Sequence, residues 1–189
     1  WYIKSCEKIK YMFPKAHAAA YVTNAFRIAW FKVHIPLAYY AAYYSIRAKA
    51  FDAQYMIFGK EKVKNKMKEI EMKNQKKEAT KAELDMYDDL EIVLEMYERG
   101  FEFLPVDIYE SEASKFKIQD NKLRPPLNSI PGFGTVAAQG IVNARKDGKF
   151  MSIDDLKIRA KIGASGAELL KQFGCLEGMS QSNQLSLFG

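Results

Sequence analysis

The chain has 189 residues, 48% of them hydrophobic and 13% aromatic, which suffices for a packed core of one ordinary domain or two small ones and excludes a disordered tail. Its formal net charge of +6 suits a polyanionic partner without demanding one. Cys6 and Cys175 lie far apart with no Cys-x-x-Cys pair, beside only two histidines, so neither a disulfide framework nor a Cys/His zinc site is expected, and a reducing cytoplasm is.

Charge is unevenly spread. Residues 1–59 carry eight Lys/Arg against two acids and residues 60–81 nine against four. Residues 82–126 carry five against twelve, and residues 127–189 seven against five. An acidic middle thus separates basic ends. Arg27, Lys32 and His34 interrupt the most apolar stretch, and no signal peptide is visible, so no membrane partner is expected. The chain opens at Trp1 inside a helical pattern, which leads to the expectation of a fragment of something longer.

In chain order, residues 1–59 are aromatic-rich with helical patterning. Pro14 suits a first helical turn, the run "KAHAAAYVTNAFRIAWFKVH" follows, and Pro36 breaks it and starts a second helix, "PLAYYAAYYSIRA". Over residues 60–99, Val63, Met67 and Ile70, then Leu84, Tyr87, Leu90, Val93, Leu94 and Tyr97, fall at helical spacing. Thr80 with Glu83 forms a capping box that divides this stretch into two helices, the second ending at Gly100. The lysine run of 60–81 reads as a solvated helix face, because Glu61, Glu69, Glu71 and Glu78 interleave with it. Residues 100–126 alternate and carry a turn at Asp120-Asn121, predicting short strands or one hairpin between Pro105 and Pro125-Pro126. Residues 127–178 return to short helices, and 179–189 form a polar tail with an apolar tip. The fold class is therefore mainly α with a small inserted β element.

The stretch "SIPGFGTVAAQGIVNARKDGKF", residues 129–150, carries the chemistry. Pro131 holds Ile130 extended, Gly132 and Gly134 flank Phe133, and a helix starts near Thr135. Such a turn exposes backbone N–H groups beside a helix N-terminus, a seat for phosphate that ignores base identity. By itself Pro-Gly-x-Gly also fits a plain tight turn between packed helices.

With Ala138, Ile141 and Arg145 in register, these residues resemble the helix-hairpin-helix family of non-sequence-specific DNA binders. The resemblance makes Gly132, Phe133, Gly134, Thr135, Val136 and Arg145 candidate phosphate contacts. "GKFMSIDDLKIRAKIGASGAELLKQFG" looks like the second half of a tandem pair, so residues 127–178 form a duplex-binding domain. There Ala160-Lys161-Ile162, followed by Gly163, stands where Gly-hydrophobe-Gly is expected. That departure gives the second copy packing against the first as its main expected role, with Lys161 and Gly163 kept as candidate contacts.

In the tail, "QLSLF" sets Gln184 before Leu185, Leu187 and Phe188, a spacing that drops apolar groups into one groove from an extended backbone. It resembles the peptide by which bacterial replication proteins dock on the sliding clamp; a frayed terminus folded onto its own core is the plainer reading. At the front, Phe13-Pro14-Lys15-Ala16-His17-Ala18-Ala19-Ala20-Tyr21, then Trp30-Phe31-Lys32-Val33-His34 and the proline, resemble the fingers of bacterial replicative DNA polymerase III alpha subunits of the PolC type, found in low-GC Gram-positive bacteria. The similarity extends over essentially the whole chain, with the β element, hairpins and clamp peptide in the same order.

This resemblance implies that residues 1–59 are the C-terminal part of the fingers, that 60–99 are connecting helices, and that the parent is a DNA-directed DNA polymerase. It makes Lys15, His17, Tyr11 and Arg27 candidates for contact with the incoming deoxynucleotide or template, although aromatic and alanine-rich helices more often simply pack. Primer-template duplex and sliding clamp are the expected partners. Magnesium is expected in the parent active site and no cofactor in this chain, which matches none of the family's palm aspartates; alone it is expected to be inactive. A stand-alone hairpin accessory or repair protein is the alternative, and a helical protein-interaction domain the third.

Overall fold

Proline, glycine and capping residues set the element boundaries. The computed structural model describes residues 1–8 and 14–182. Among them are nine α-helices and one two-stranded antiparallel sheet, the mainly helical class that the periodicities predict. Helix α1 spans Tyr2–Lys8 and α2 spans Lys15–His34, directly after Pro14. Helix α3 (Pro36–Ile46) begins with proline at its first position, where the missing N–H costs no hydrogen bond. Helix α4 (Ala53–Met56) is a single turn whose Gln54 amide is capped by the Asp52 carboxylate at 2.7 Å.

Helices α5 (Lys60–Gln75) and α6 (Lys81–Glu98) form an antiparallel pair. Both arms of the capping box are present: Thr80 Oγ1 accepts from the Glu83 amide at 3.2 Å, and Glu83 Oε2 accepts from the Thr80 amide at 2.9 Å. Most lysines of α5 are engaged, with Lys60 and Lys64 on Glu98, Lys66 and Lys73 on Glu69, and Lys73 also on Glu83. Val63, Ile70, Leu90 and Val93 are buried as the helical spacing predicts, together with Met96, whereas Leu84 stays exposed.

Strands β1 (Lys117–Gln119) and β2 (Lys122–Arg124) are joined by Asp120 and Asn121 at φ 51° and 56°. Two consecutive left-handed residues make the tight turn that matches strand twist, and Asp and Asn tolerate that conformation better than most residues. The β element is shorter than the alternation suggests. Residues 104–116 form turns instead, one of them closed by the Asp107 carboxylate accepting from the Tyr109 and Glu110 amides. Helices α7 (Thr135–Ala144), α8 (Ile153–Ala160) and α9 (Ala164–Gln172) complete the chain.

Two apolar cores result. One joins α3, α4, α5, α6 and the β element through Tyr40, Tyr44, Met56, Val63, Val93 and Leu123; the other joins α7, α8 and α9 to Val106 and Ile108. Helix α2 belongs to neither: none of its residues is buried, and Tyr21, Phe26, Trp30 and Phe31 are all exposed. Asp89 on α6 ties the chain after α3 into the first core. Its carboxylate, 2% exposed, accepts from the Lys49 and Ala50 amides at 2.9 and 2.8 Å and from the Tyr43 hydroxyl at 3.3 Å. Burial is the larger influence on it and raises its pKa despite those three donors. Burial, followed by the charge of Asp89, pushes Tyr43 up to about 12.

Asp89→Ala leaves two inward-facing amides without an acceptor and is expected to lower stability by about 2 kcal/mol in urea denaturation at neutral pH. Glu83 responds to acid. The Lys73 ammonium first, then the Thr80 amide and hydroxyl, lower its pKa from the ordinary 4.5 to about 2. Because the folded value lies below the unfolded one, its support of the α5–α6 turn is full above pH 4.5 and is lost as pH falls toward 2. Carboxyl carbon NMR should show Glu83 titrating near 2 and, in Lys73→Ala, moving back toward the ordinary value.

Candidate nucleic-acid interface

The first hairpin is built by local backbone rules. Leu127–Ser129 form a short 3-10 turn, and Ile130, held extended before Pro131, is buried. Gly132 takes φ +79°, a left-handed conformation that favours glycine. Phe133 turns inward: its ring is 4% exposed and its amide donates to the Ile130 carbonyl at 3.0 Å, so it shapes the turn rather than reaching outward. Gly134 caps α7 with φ −70° and ψ 151°, ordinary extended geometry, and a Cβ there would meet nothing within 4 Å. Ala138 is the first residue of α7 to return its amide to the helix, donating to the Gly134 carbonyl at 3.0 Å. The amides of Thr135, Val136 and Ala137 find no acceptor among the described residues, and no side chain caps them. The Thr135 hydroxyl accepts from the Asn128 amide group at 3.2 Å, which leaves its own proton to donate.

The second hairpin repeats this backbone one residue later than the sequence alignment suggests. Lys161 is left-handed at φ 55° and ψ 43°, as Gly132 is. Ile162 is buried like Phe133, and Gly163 caps α9 with φ −76° and ψ 172° like Gly134. Lys161-Ile162-Gly163, rather than Ala160-Lys161-Ile162, is therefore the counterpart of Gly132-Phe133-Gly134, and only the first glycine is replaced. The replacement brings to the rim of the turn an exposed ammonium that forms no ion pair among the described residues. The amides of Ala164, Ser165 and Gly166 again find no acceptor among the described residues, and Ala167 donates to the Gly163 carbonyl at 3.1 Å.

The two open helix ends are neighbours. A Cβ on Gly166, in the first turn of α9, would lie 3.3 Å from the Phe133 ring, and one on Gly132 would lie 3.5 Å from Leu169. Helices α7 and α8 approach more closely still, since a Cβ on Gly140 would fall 2.3 Å from the Ala160 carbonyl oxygen. By contrast the N-terminus of α8 is closed. Ser152 Oγ accepts from the Asp155 amide, and the Ile153 and Asp154 amides donate to the Ser180 and Gln181 carbonyls at 2.9 and 3.2 Å.

Arg145 requires a correction as a phosphate contact. Its guanidinium donates to the Ile108 and Ser111 carbonyls and faces Glu112 at 3.6 Å, with the side chain 14% exposed, so it anchors the 108–112 turn instead of facing solvent. Arg159 acts similarly on the connector between α7 and α8, bonding the Ala144, Gly148 and Lys149 carbonyls while stacked over Phe150. Sequence reasoning missed Arg159, Gly140 and the closing role of 180–181. The Ser152-x-x-Asp155 spacing was the one available signal, and it marks the start of α8 but not the segment that reaches it.

At the front, Lys15 and His17 are exposed near the start of α2, with His17 edge-on to Tyr21 at 4.4 Å between ring centres. Arg27 borders an open depression with Trp30 and Phe31, about 15–18 Å along the helix axis from the other two. The three do not converge. Tyr11 lies outside the described residues, as do Gln184, Leu185, Leu187 and Phe188 of the tail peptide. Among the described residues no group of three or more His, Cys, Asp or Glu is placed to hold a metal ion, and no helix is long and apolar enough to cross a membrane.

The helix-hairpin-helix motif family matches residues 100–185, spanning both hairpins. The whole chain is 52% identical over 188 residues to DNA polymerase III PolC-type of Caldanaerobacter subterraneus subsp. tengcongensis, and 52% over 188 residues to that of Bacillus subtilis. The chain is a segment of the PolC-type DNA polymerase III family. DNA polymerase III PolC-type of Clostridium perfringens is 50% identical over 189 residues. In each case all of this chain is covered, but it spans only 13% of the relative's length.

The contact between α7 and α8 yields a test. Gly140→Ala places a methyl group where a backbone carbonyl stands, and the helices must separate; a loss of about 2 kcal/mol is expected in denaturant unfolding. Gly134→Ala, with open space around the new group, should leave stability within about 0.5 kcal/mol.

Proposed function

We propose that the hairpin unit of this PolC-type segment grips duplex DNA through its phosphates, without reading sequence. One observation carries the proposal. Two neighbouring helix N-termini, of α7 and α9, present unpaired amides, and each is preceded by a glycine that neither backbone conformation nor internal packing requires. A glycine with ordinary φ and room for a Cβ keeps its surroundings clear for something outside the chain; nothing lies within 4 Å of one at Gly134, and at Gly163 only the Ser165 hydroxyl at 3.9 Å. Three amides and the positive end of a helix dipole at each site suit a phosphate oxygen, and the Thr135 hydroxyl and Lys161 ammonium add a donor and a charge. Phosphate contacts position a protein on a duplex and carry no base information, as a polymerase that copies every sequence requires.

The rest of the proposal concerns the longer protein. Helix α2 belongs to the fingers of a cytoplasmic replicative DNA polymerase, with Lys15, His17, Arg27 and Tyr11 as candidate contacts to the incoming deoxynucleotide or template. Their separation along α2 divides them between different parts of such a ligand rather than gathering them on one phosphate. The tail peptide, Gln184 to Phe188, docks on the sliding clamp. Nucleotidyl transfer requires magnesium held by carboxylates, and this reading assigns that step to the rest of the longer protein.

Fluorescence anisotropy on a short blunt duplex, titrated with salt, tests the grip. Gly134→Val, which puts bulk into the cleared space, is expected to weaken duplex binding about ten-fold with helicity retained, the worth of one charge-assisted contact. Lys161→Ala should make the slope of log affinity against log salt shallower by about 0.9. Arg145→Lys should leave that slope unchanged. Unaltered affinity in both of the first two variants would reduce the hairpins to architecture.

A further inference from the structure

Among the described residues, the non-glycine positions with positive φ are Lys77, Asp120, Asn121 and Lys161. Asp and Asn suit the hairpin turn they form. A lysine has no such local reason to be left-handed. Lys77 stands just past the end of α5 at φ 60°, its amide donating to the Asn74 carbonyl at 2.9 Å while the Glu78 amide donates to the Lys73 carbonyl at 2.8 Å. Glycine is the usual occupant of this position in such a helix ending, and lysine there is the less stable choice. Both left-handed lysines are exposed, and neither forms an ion pair among the described residues.

Free charge gathers around Lys77. The body of α5 is neutralised by Glu69, Glu83 and Glu98, which hold Lys60, Lys64, Lys66 and Lys73. Lys76, Lys77 and Lys81 are exposed and form no ion pair among the described residues; Glu78 is the one acid among them. This basic turn borders the first hairpin. Met86, in the second turn of α6, lines a hollow together with residues 128–134. Asp52 lines the same hollow, so the hollow itself does not suit a phosphate, but its two rims do: open amides on one side and lysines on the other.

We infer that the α5–α6 turn is a second phosphate contact for the duplex held by the first hairpin, made by the ammonium groups of Lys76, Lys77 and Lys81. The inference rests on the reading of the hairpins as a duplex grip. Lys81 opens α6 about 7.5 Å along the helix axis from Met86. Phosphates recur about every 3.4 Å along each strand, so a few base pairs cover that interval. The two rims differ in kind. Amides at a helix start bind a phosphate in one geometry, whereas lysine is a point charge on a flexible stem that follows phosphates as they pass.

Lys77→Gly separates charge from fold, because glycine suits the backbone there and only the ammonium is lost. In the whole chain this variant should unfold at a temperature no lower than the unmodified protein. On a duplex of about twenty base pairs it should make the slope of log affinity against log salt shallower by about 0.9. Lys77→Arg should keep the slope, and Lys76→Ala, Lys77→Gly and Lys81→Ala together should make it shallower by about 2.7. An unchanged slope in the single and triple variants would overturn the contact and leave the lysines as a solvated tip. If Gly134→Val still weakens binding in that case, the hairpin grip stands without the second contact. Failure of the unmodified chain to bind duplex would refute both.

Discussion

The approach of α7 to α8 is the contact on which the hairpin unit depends. Gly140 and the Ala160 carbonyl leave no room for a side chain between the two backbones, and Phe133 then reaches across to rest on Gly166. These contacts lock the turn before α7 to the first turn of α9. Interiors packed at this density do not yield gradually, so the two turns hold a fixed relation rather than an average one. Their open amides are aimed by the core beneath them. Arg145 and Arg159 complete the framework from outside by tying the 108–112 turn and the 144–149 connector to it through carbonyl oxygens.

Five of the helix beginnings among the described residues fall into two groups. Those of α4, α6 and α8 have a side chain on their amides, Asp52, Thr80 and Ser152 respectively, and α8 also has the 180–181 carbonyls. Those of α7 and α9 have a glycine and no side-chain cap. Gly59 before α5 is a different case, since φ +97° requires glycine there for the backbone itself. An N-cap serine or threonine contributes about 1 kcal/mol over alanine, and glycine only a few tenths less, so an uncapped start is inexpensive when water can reach it. What the glycine provides is access, and a phosphate can displace that water.

Local features were legible in the sequence because their causes are local. Pro36, the Thr80–Glu83 box, Asp120-Asn121 and the start of α7 after Gly134 each act within a few residues, and each is found where pattern places it. What escaped was long-range. Arg145 reads as a surface cation until carbonyls 34 and 37 residues earlier in the chain claim it. Gly140 looks like a weak point in a helix until Ala160 is seen against it. The second hairpin misleads for another reason: a glycine-based alignment cannot anticipate that Lys161 adopts the left-handed conformation. Backbone geometry supplies the register that residue identity conceals.

The use of charge follows from the same framework. Residues 127–189 carry seven basic and five acidic side chains, and two of the basic ones, Arg145 and Arg159, are turned onto backbone carbonyls. Lys157 is paired with Asp154. In the proposed reading the unit holds DNA chiefly with amides and a few lysines, so few counterions are released and its electrostatic grip alone is modest. A modest, sequence-indifferent grip suits a surface that must release each phosphate as the duplex advances.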